Sequence, residues 1–104
     1  MSVATIGART LHVDAEGFLT EYDEWDPELA SDLAALIGVE LTDTHWKALQ
    51  FLRSDYRERG ETPTLRRVST LSGISIKELF SLFPGKPAKK MAYIAGLPKP
   101  QGCV

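Results

Sequence analysis

Apolar residues recur at helical spacing along most of this chain, and each recurrence lies between a start signal and a stop signal. Leu29, Leu33, Leu36 and Ile37 share one face of a helix that Asp26-Pro27 opens and Gly38 ends. Thr42 starts a longer helix with the stripe Trp46, Leu49, Leu52, Arg53 (by its stem) and Tyr56, and Gly60 stops it. Thr62-Pro63 repeats the opening signal for a short helix carrying Leu65, Val68 and Leu71, which ends at Ser72-Gly73. Ser75 to Glu78 matches a capping box, so a further helix presents Leu79, Phe80, Leu82 and Phe83 until Pro84 breaks it. Pro87 to Ala95 reads as a last helix closed by Gly96.

Upstream the period changes to two. Thr10–Val13 and Phe18–Thr20 flank Asp14-Ala15-Glu16-Gly17, which predicts a β-hairpin. A lone hairpin is marginal in water, so it is expected to lie on the helices. The expected fold is mainly α: a small orthogonal helical bundle with an N-terminal β-hairpin and a flexible C-terminal arm. Residues 1–96 form the single domain and residues 97–104 the arm. Pro98 and Pro100 forbid helix there and push their neighbours to extended geometry. The arm offers the core little beyond Leu97, so it is expected to be dispensable for folding.

Composition narrows the class. The chain has 104 residues, of which 43% are apolar and 25% charged, which suits one globular domain and excludes whole-chain disorder. No apolar run approaches the ~20 residues of a membrane span. The first residues show neither the basic nor the apolar region of a signal peptide, so the expected compartment is the cytoplasm. A single cysteine excludes an internal disulfide and any site with several thiolates.

Charge is divided unevenly. Residues 1–61 hold 13 of the 14 acids and five of the 12 Lys and Arg; residues 62–104 hold Glu78 alone against seven basic residues. That leaves −8 on the first part and +6 on the second. The basic part either neutralises the acidic part within the fold or faces an anionic partner.

Cys103 is the leading chemical candidate. A thiol one residue from the end of a Pro-Gly arm has little core around it, and such an arm can deliver it to another protein. Lys99, four residues upstream, favours the thiolate, whereas the Val104 carboxylate opposes it. His12 and His45 lie in no pattern that demands a Cys–His dyad and read as structural. Asp23, Glu24, Asp26 and Glu28 read as acids favoured at a helix N-terminus, not as a metal site. No phosphate loop or nucleophile elbow is present, and neither a metal nor a cofactor is expected. Residues 64–83 have helix-turn-helix spacing, which opens the alternative of a nucleic-acid-binding module. The would-be recognition helix, however, lacks Arg, Asn and Gln to read bases.

The ending Leu97-Pro98-Lys99-Pro100-Gln101-Gly102-Cys103-Val104 closely resembles the C-terminal arm of the DsrC/TusE family of sulfur-carrier proteins. Gly17-Phe18-Leu19, Trp25, His45-Trp46, Phe51-Leu52-Arg53, Leu79-Phe80 and Leu82-Phe83-Pro84 agree along nearly the whole chain. The resemblance implies a carrier, a sulfurtransferase-type protein and not a self-sufficient enzyme. Cys103 would hold persulfide sulfur, with Pro98, Lys99, Pro100 and Gly102 positioning the arm. It implies donor and acceptor proteins as partners, in a Tus-type relay toward tRNA thiolation or with sulfite reductase or related sulfur enzymes. A gamma-type sulfite reductase subunit is a further alternative, and tRNA is met only indirectly. Where two-cysteine members have their second thiol, this chain has Ala92, so no internal disulfide or trisulfide can close. The chain is expected to be mostly monomeric, with a Cys103–Cys103 dimer on oxidation and no membrane contact. Arg66, Arg67, Lys86, Lys89 and Lys90 form the expected docking face.

Overall fold

The computed structural model describes residues 2–6 and 9–100. Two strands, β1 (Ser2–Ile6) and β2 (Arg9–Val13), precede a 3-10 turn at Tyr22–Glu24. Five helices follow: α1 (Pro27–Leu36), α2 (Asp43–Arg59), α3 (Leu65–Ser72), α4 (Ile76–Leu82) and α5 (Pro87–Ile94). Helix α5 packs against α1, α2 and α4, so the chain leaving its C-terminal end emerges from the middle of the bundle.

The helix ends follow from local chemistry. The Asp26 carboxylate accepts the Leu29 N–H at 2.8 Å, Thr64 accepts from Arg67 at 3.2 Å and Ser75 from Glu78 at 3.1 Å. At α2 the reciprocal half of a capping box comes from a histidine: His45 Nδ1 accepts the Thr42 N–H at 3.0 Å. Its Nε2 lies 2.8 Å from the Leu82 carbonyl, which makes Nε2 the protonated nitrogen of a neutral ring. His45 is therefore buried and structural, tying the start of α2 to the end of α4.

The hairpin differs from its sequence expectation. Strand β2 pairs antiparallel with β1, from Ser2 opposite Val13 to Ile6 opposite Arg9. Phe18–Thr20 forms no full strand and contributes the bridge of Leu19 to Val13, the Phe18 carbonyl accepting the Asp14 N–H at 2.8 Å and the Thr20 N–H donating to the His12 carbonyl at 2.9 Å. The turn between them does form, with the Gly17 N–H on the Asp14 carbonyl at 3.0 Å and Gly17 at φ 91°. Strand β1 escaped the pattern because only Ile6 of it is a large inward residue, with small Ala4 beside it, while apolar Val3 is exposed on the outward side.

The core has two parts. Ile6, Leu11 and Val13 of the hairpin pack with Leu19, Leu29 and Leu33, while Leu49, Leu52, Val68, Leu79, Phe83, Met91 and Ile94 fill the bundle. Each such side chain contributes roughly 1.5–3 kcal/mol by leaving water. Three residues assigned to buried faces lie outside instead: Leu36, Leu71 and Phe80 are 63%, 54% and 44% exposed. Each of the short helices α3 and α4 buries one residue fully, Val68 and Leu79; Leu65 and Leu82 pack partly against the core, and Leu71 and Phe80 face solvent. Leu97 also departs from expectation, because it is wholly buried in the bundle core.

Candidate functional site at the root of the C-terminal arm

The path of the chain beyond α5 is set by contacts from three distant segments. The Leu97 N–H bonds back to the Ala92 carbonyl at 3.0 Å, and Gly96 turns the chain at φ 71°. Only glycine fits there, since an added Cβ would stand 2.5 Å from Trp25 Cδ1 and 3.0 Å from Leu19 Cδ2. Trp25 Nε1 donates to the Ile94 carbonyl at 2.8 Å, and Arg53 Nη1 donates to the Ala95 carbonyl at 2.8 Å. These bonds satisfy carbonyls that the end of α5 leaves without helical partners.

Arg53 is held from both sides. Its guanidinium lies 3.9 Å from the Tyr22 ring centroid and 4.1 Å from the Trp25 ring, and Nη2 donates to the Tyr22 carbonyl at 3.0 Å. No carboxylate pairs with it among the described residues, and burial pulls its pKa down from the usual arginine value. The Arg53 stem is half-buried on the apolar stripe, and its head holds the root.

Beyond the root, Thr62 Oγ1 donates to the Pro98 carbonyl at 2.8 Å. The exposed Lys99 ammonium reaches Glu16 of the hairpin turn at 3.2 Å, and Pro100 is buried. Pro98, Lys99 and Pro100 are thus laid along the body. Gly102 and Cys103 lie outside the described residues.

The five basic residues do not act as one group. Lys86, Lys89 and Lys90 rim a cleft of about 550 Å³ together with Glu16, Phe18, Ile37, Gly85 and Tyr93. Arg66 is exposed on α3 and does not line it. Arg67 is committed elsewhere, clasping Asp55 through Nε at 3.0 Å and Nη2 at 2.7 Å. Asp55 is buried, and Arg59 Nη1 adds a third donor at 3.2 Å. The Arg67 hydrogen bond is the largest cause holding the Asp55 carboxyl below its ordinary range, against desolvation.

Each histidine is held by a partner within the fold. Both ring nitrogens of His45 have partners, as described. His12 Nδ1 pairs with Glu24 at 2.7 Å, and that hydrogen bond raises the His12 pKa. The acids near α1 are likewise engaged: Glu24 with His12, and Asp26 as helix cap and ion-pair partner of Arg9 at 2.6 Å.

Trp25, Thr62 and Glu16 are site residues that periodicity did not single out, and it placed Arg53 on a stripe only by its stem. Their partners are 31 to 83 residues away in sequence, so only an unusual placement could flag them: an arginine on an apolar stripe and a tryptophan just before a helix cap.

Comparison with known proteins agrees over the whole length. The family model described as DsrC like protein matches residues 5–104. The dissimilatory-type sulfite reductase subunit gamma of Nitratidesulfovibrio vulgaris strain Hildenborough is 36% identical over 105 residues, covering 100% of both chains. The sulfurtransferase TusE of Pectobacterium atrosepticum is 37% identical over 103 residues, covering 92% of this chain and 94% of its own. Among solved structures, the NMR structure of Allochromatium vinosum DsrC superposes with a TM-score of 0.85 at 37% identity, covering 98% of this chain and 97% of that one. The crystal structure of the oxidized gamma-subunit of dissimilatory sulfite reductase (DsrC) from Archaeoglobus fulgidus gives 0.84 at 34% identity, covering 99% and 100%.

Proposed function

Since this chain belongs to the DsrC-like family, we propose that it is a sulfur carrier that accepts persulfide sulfur on Cys103 and passes it on. The observation that carries the reading is the built root of the arm. Trp25, Arg53 and Thr62 direct the chain out of the core, and Cys103 follows Pro100 by three residues.

The chemistry conserves atoms and electrons. The Cys103 thiolate attacks the outer sulfur of a donor persulfide; a new S–S bond forms, the donor's S–S bond breaks, and its electron pair leaves on the donor thiolate. An acceptor thiolate then attacks the outer sulfur on Cys103 and regenerates the Cys103 thiolate. No net oxidant is consumed, and no second thiol is needed. The position where a two-cysteine member has its second thiol is Ala92, wholly buried in the core. The chain therefore acts as a single-thiol relay, and two copies joined through Cys103 are its only pure disulfide product.

The named relatives supply two destinations, a Tus-type relay and a dissimilatory sulfite reductase. Donor and acceptor are proteins on either route, and tRNA is reached only through them. Among the described residues no helix is long and apolar enough to cross a membrane. The cytoplasm, where a lone thiol stays reduced, is the compartment the relay requires.

Intact-mass analysis after incubation with inorganic polysulfide tests the reading. Wild-type protein gains the mass of sulfur, removable by a thiol reductant, and Cys103→Ser gains none. Equal uptake by both proteins, or by neither, overturns it.

A further inference from the structure

The cleft beside the arm has a composition of its own. Its floor is Phe18, Ile37 and Tyr93, with the Phe18 and Tyr93 rings edge to face at 5.9 Å. Its rim carries Lys86, Lys89 and Lys90 against one carboxylate, Glu16. Glu16 already serves two cations, Lys99 at 3.2 Å and Lys89 at 3.8 Å, and the Lys90 ammonium donates to the Pro84 carbonyl. Lys86 has no carboxylate partner among the described residues. The Tyr93 hydroxyl also has no hydrogen-bond partner among them, and burial raises its pKa, so it stays protonated as a donor. The site therefore has an excess of positive charge, a spare donor and an apolar base.

The cleft is open along one side, whereas a small metabolite is normally held in a concavity that covers most of its surface. An open cleft with an apolar floor and a cationic rim suits a chain segment that lays one apolar side chain on the floor while flanking carboxylates meet the lysines. Glu16 links this rim to Lys99 of the arm. Cys103 lies four positions beyond Lys99, a reach of at most about 14 Å, so a segment seated in the cleft lies within range of the thiol.

We infer that the cleft formed by the hairpin turn, the end of α1 and the start of α5 is the docking site for an acidic segment of a sulfur-donating or sulfur-accepting protein, one with an apolar residue between carboxylates. The inference rests on the carrier reading for its biological sense and on the cleft for its chemistry. Docking there holds the partner beside the arm and raises the effective concentration of its thiol at Cys103.

The test is a titration of isotope-labelled full-length protein with the synthetic peptide Glu-Asp-Leu-Glu-Glu, read by amide NMR shifts. The expected shifts centre on Glu16, Phe18, Ile37 and the stretch from Gly85 to Tyr93. Affinity falls at least about tenfold with the neutral peptide Gln-Asn-Leu-Gln-Gln, and likewise in Lys86→Glu/Lys89→Glu. Lys86→Gln/Lys89→Gln, which adds no like-charge repulsion to the protein, shows a smaller loss in the same direction. Shifts elsewhere, equal binding of the neutral peptide, or no effect of either double variant would overturn the proposal. So would inorganic phosphate producing the same shift map at the same concentration, which would mark a small-anion site. Polysulfide loading of wild-type Cys103, which needs no docking, is measured beside the titration. Failure of the wild type to load refutes the carrier reading alone, whereas loss of peptide selectivity refutes the docking site alone.

Discussion

Arg53 Nη1 donates to the carbonyl of Ala95 across 2.8 Å, joining the middle of α2 to the last residue before the Gly96 turn. The same guanidinium lies between Tyr22 and Trp25, so one side chain gathers the 3-10 turn, the approach to α1 and the end of α5. Arg53→Met keeps the buried stem and removes the charged donor from two carbonyls. It is expected to lower the unfolding free energy by about 2–3 kcal/mol, measured in urea. A loss below about 0.5 kcal/mol would mean that water replaces the guanidinium without consequence.

Gly96 and Gly73 make a controlled pair. Both have positive φ, 71° and 82°, but an added Cβ meets Trp25 at 2.5 Å in the first case and open space in the second. Gly73→Ala is expected to cost about 1 kcal/mol from backbone strain alone. Gly96→Ala adds a clash in a packed core and is expected to cost about 2–4 kcal/mol. Equal thermal shifts for the two variants would show that the arm root is not tightly packed.

The burial of Leu97 changes what truncation should do. Sequence pattern placed Leu97 on a dispensable arm, yet its side chain is fully buried and Thr62 bonds to the next carbonyl. Ending the chain after Gly96 is therefore expected to cost about 3–5 kcal/mol. Ending it after Pro100 spares both contacts and is expected to leave the melting temperature within a few degrees, while sulfur acceptance disappears. Similar melting temperatures for the two truncations would contradict the packing of Leu97.

How much was legible in the sequence follows from how local each signal is. The ends of α1, α2, α4 and α5 were readable because Asp26, Thr42, Ser75, Pro87 and the closing residues act on neighbours a turn away. The start of α3 was not: the Thr62-Pro63 signal stands two residues too early, since Thr64 is the cap and Thr62 bonds to Pro98 instead. Strand β1 was not, because pairing with β2 overrides a weak alternation. Phe80 misled for a related reason: the seven-residue α4 buries Leu79, its C-cap Phe83 is buried too, and the aromatic residue between them faces solvent. The cysteine and its arm could be picked out by type and position. The residues that aim the arm could not, since Trp25 and Arg53 meet α5 across 69 and 42 residues. Of the basic residues, charge alone could not separate Arg67, bound to Asp55, from the lysines around the cleft.

Asp55 gives the fold its acid dependence. Its carboxyl sits below the ordinary range in the folded protein, chiefly through the Arg67 hydrogen bond. The unfolded chain therefore binds the proton more readily. The stabilisation is complete above the ordinary aspartate value of about 3.9 and is lost as pH falls through the lower folded-state value. Asp55→Asn, which leaves Arg67 without its carboxylate, is expected to cost about 2–4 kcal/mol near neutrality. The gap between wild type and variant should close in acid. A gap independent of pH would refute the ion pair as its source.

Transfer of radiolabelled sulfur tests the carrier claim most directly. Protein loaded with labelled persulfide and freed of donor is mixed with an acceptor protein bearing a reactive thiol, and the label is followed on both chains. The account predicts that label leaves Cys103 and appears on the acceptor, with the Cys103 thiol regenerated for a further cycle. Label that stays on the loaded chain, or that reaches the acceptor equally well from Cys103→Ser treated the same way, would contradict it.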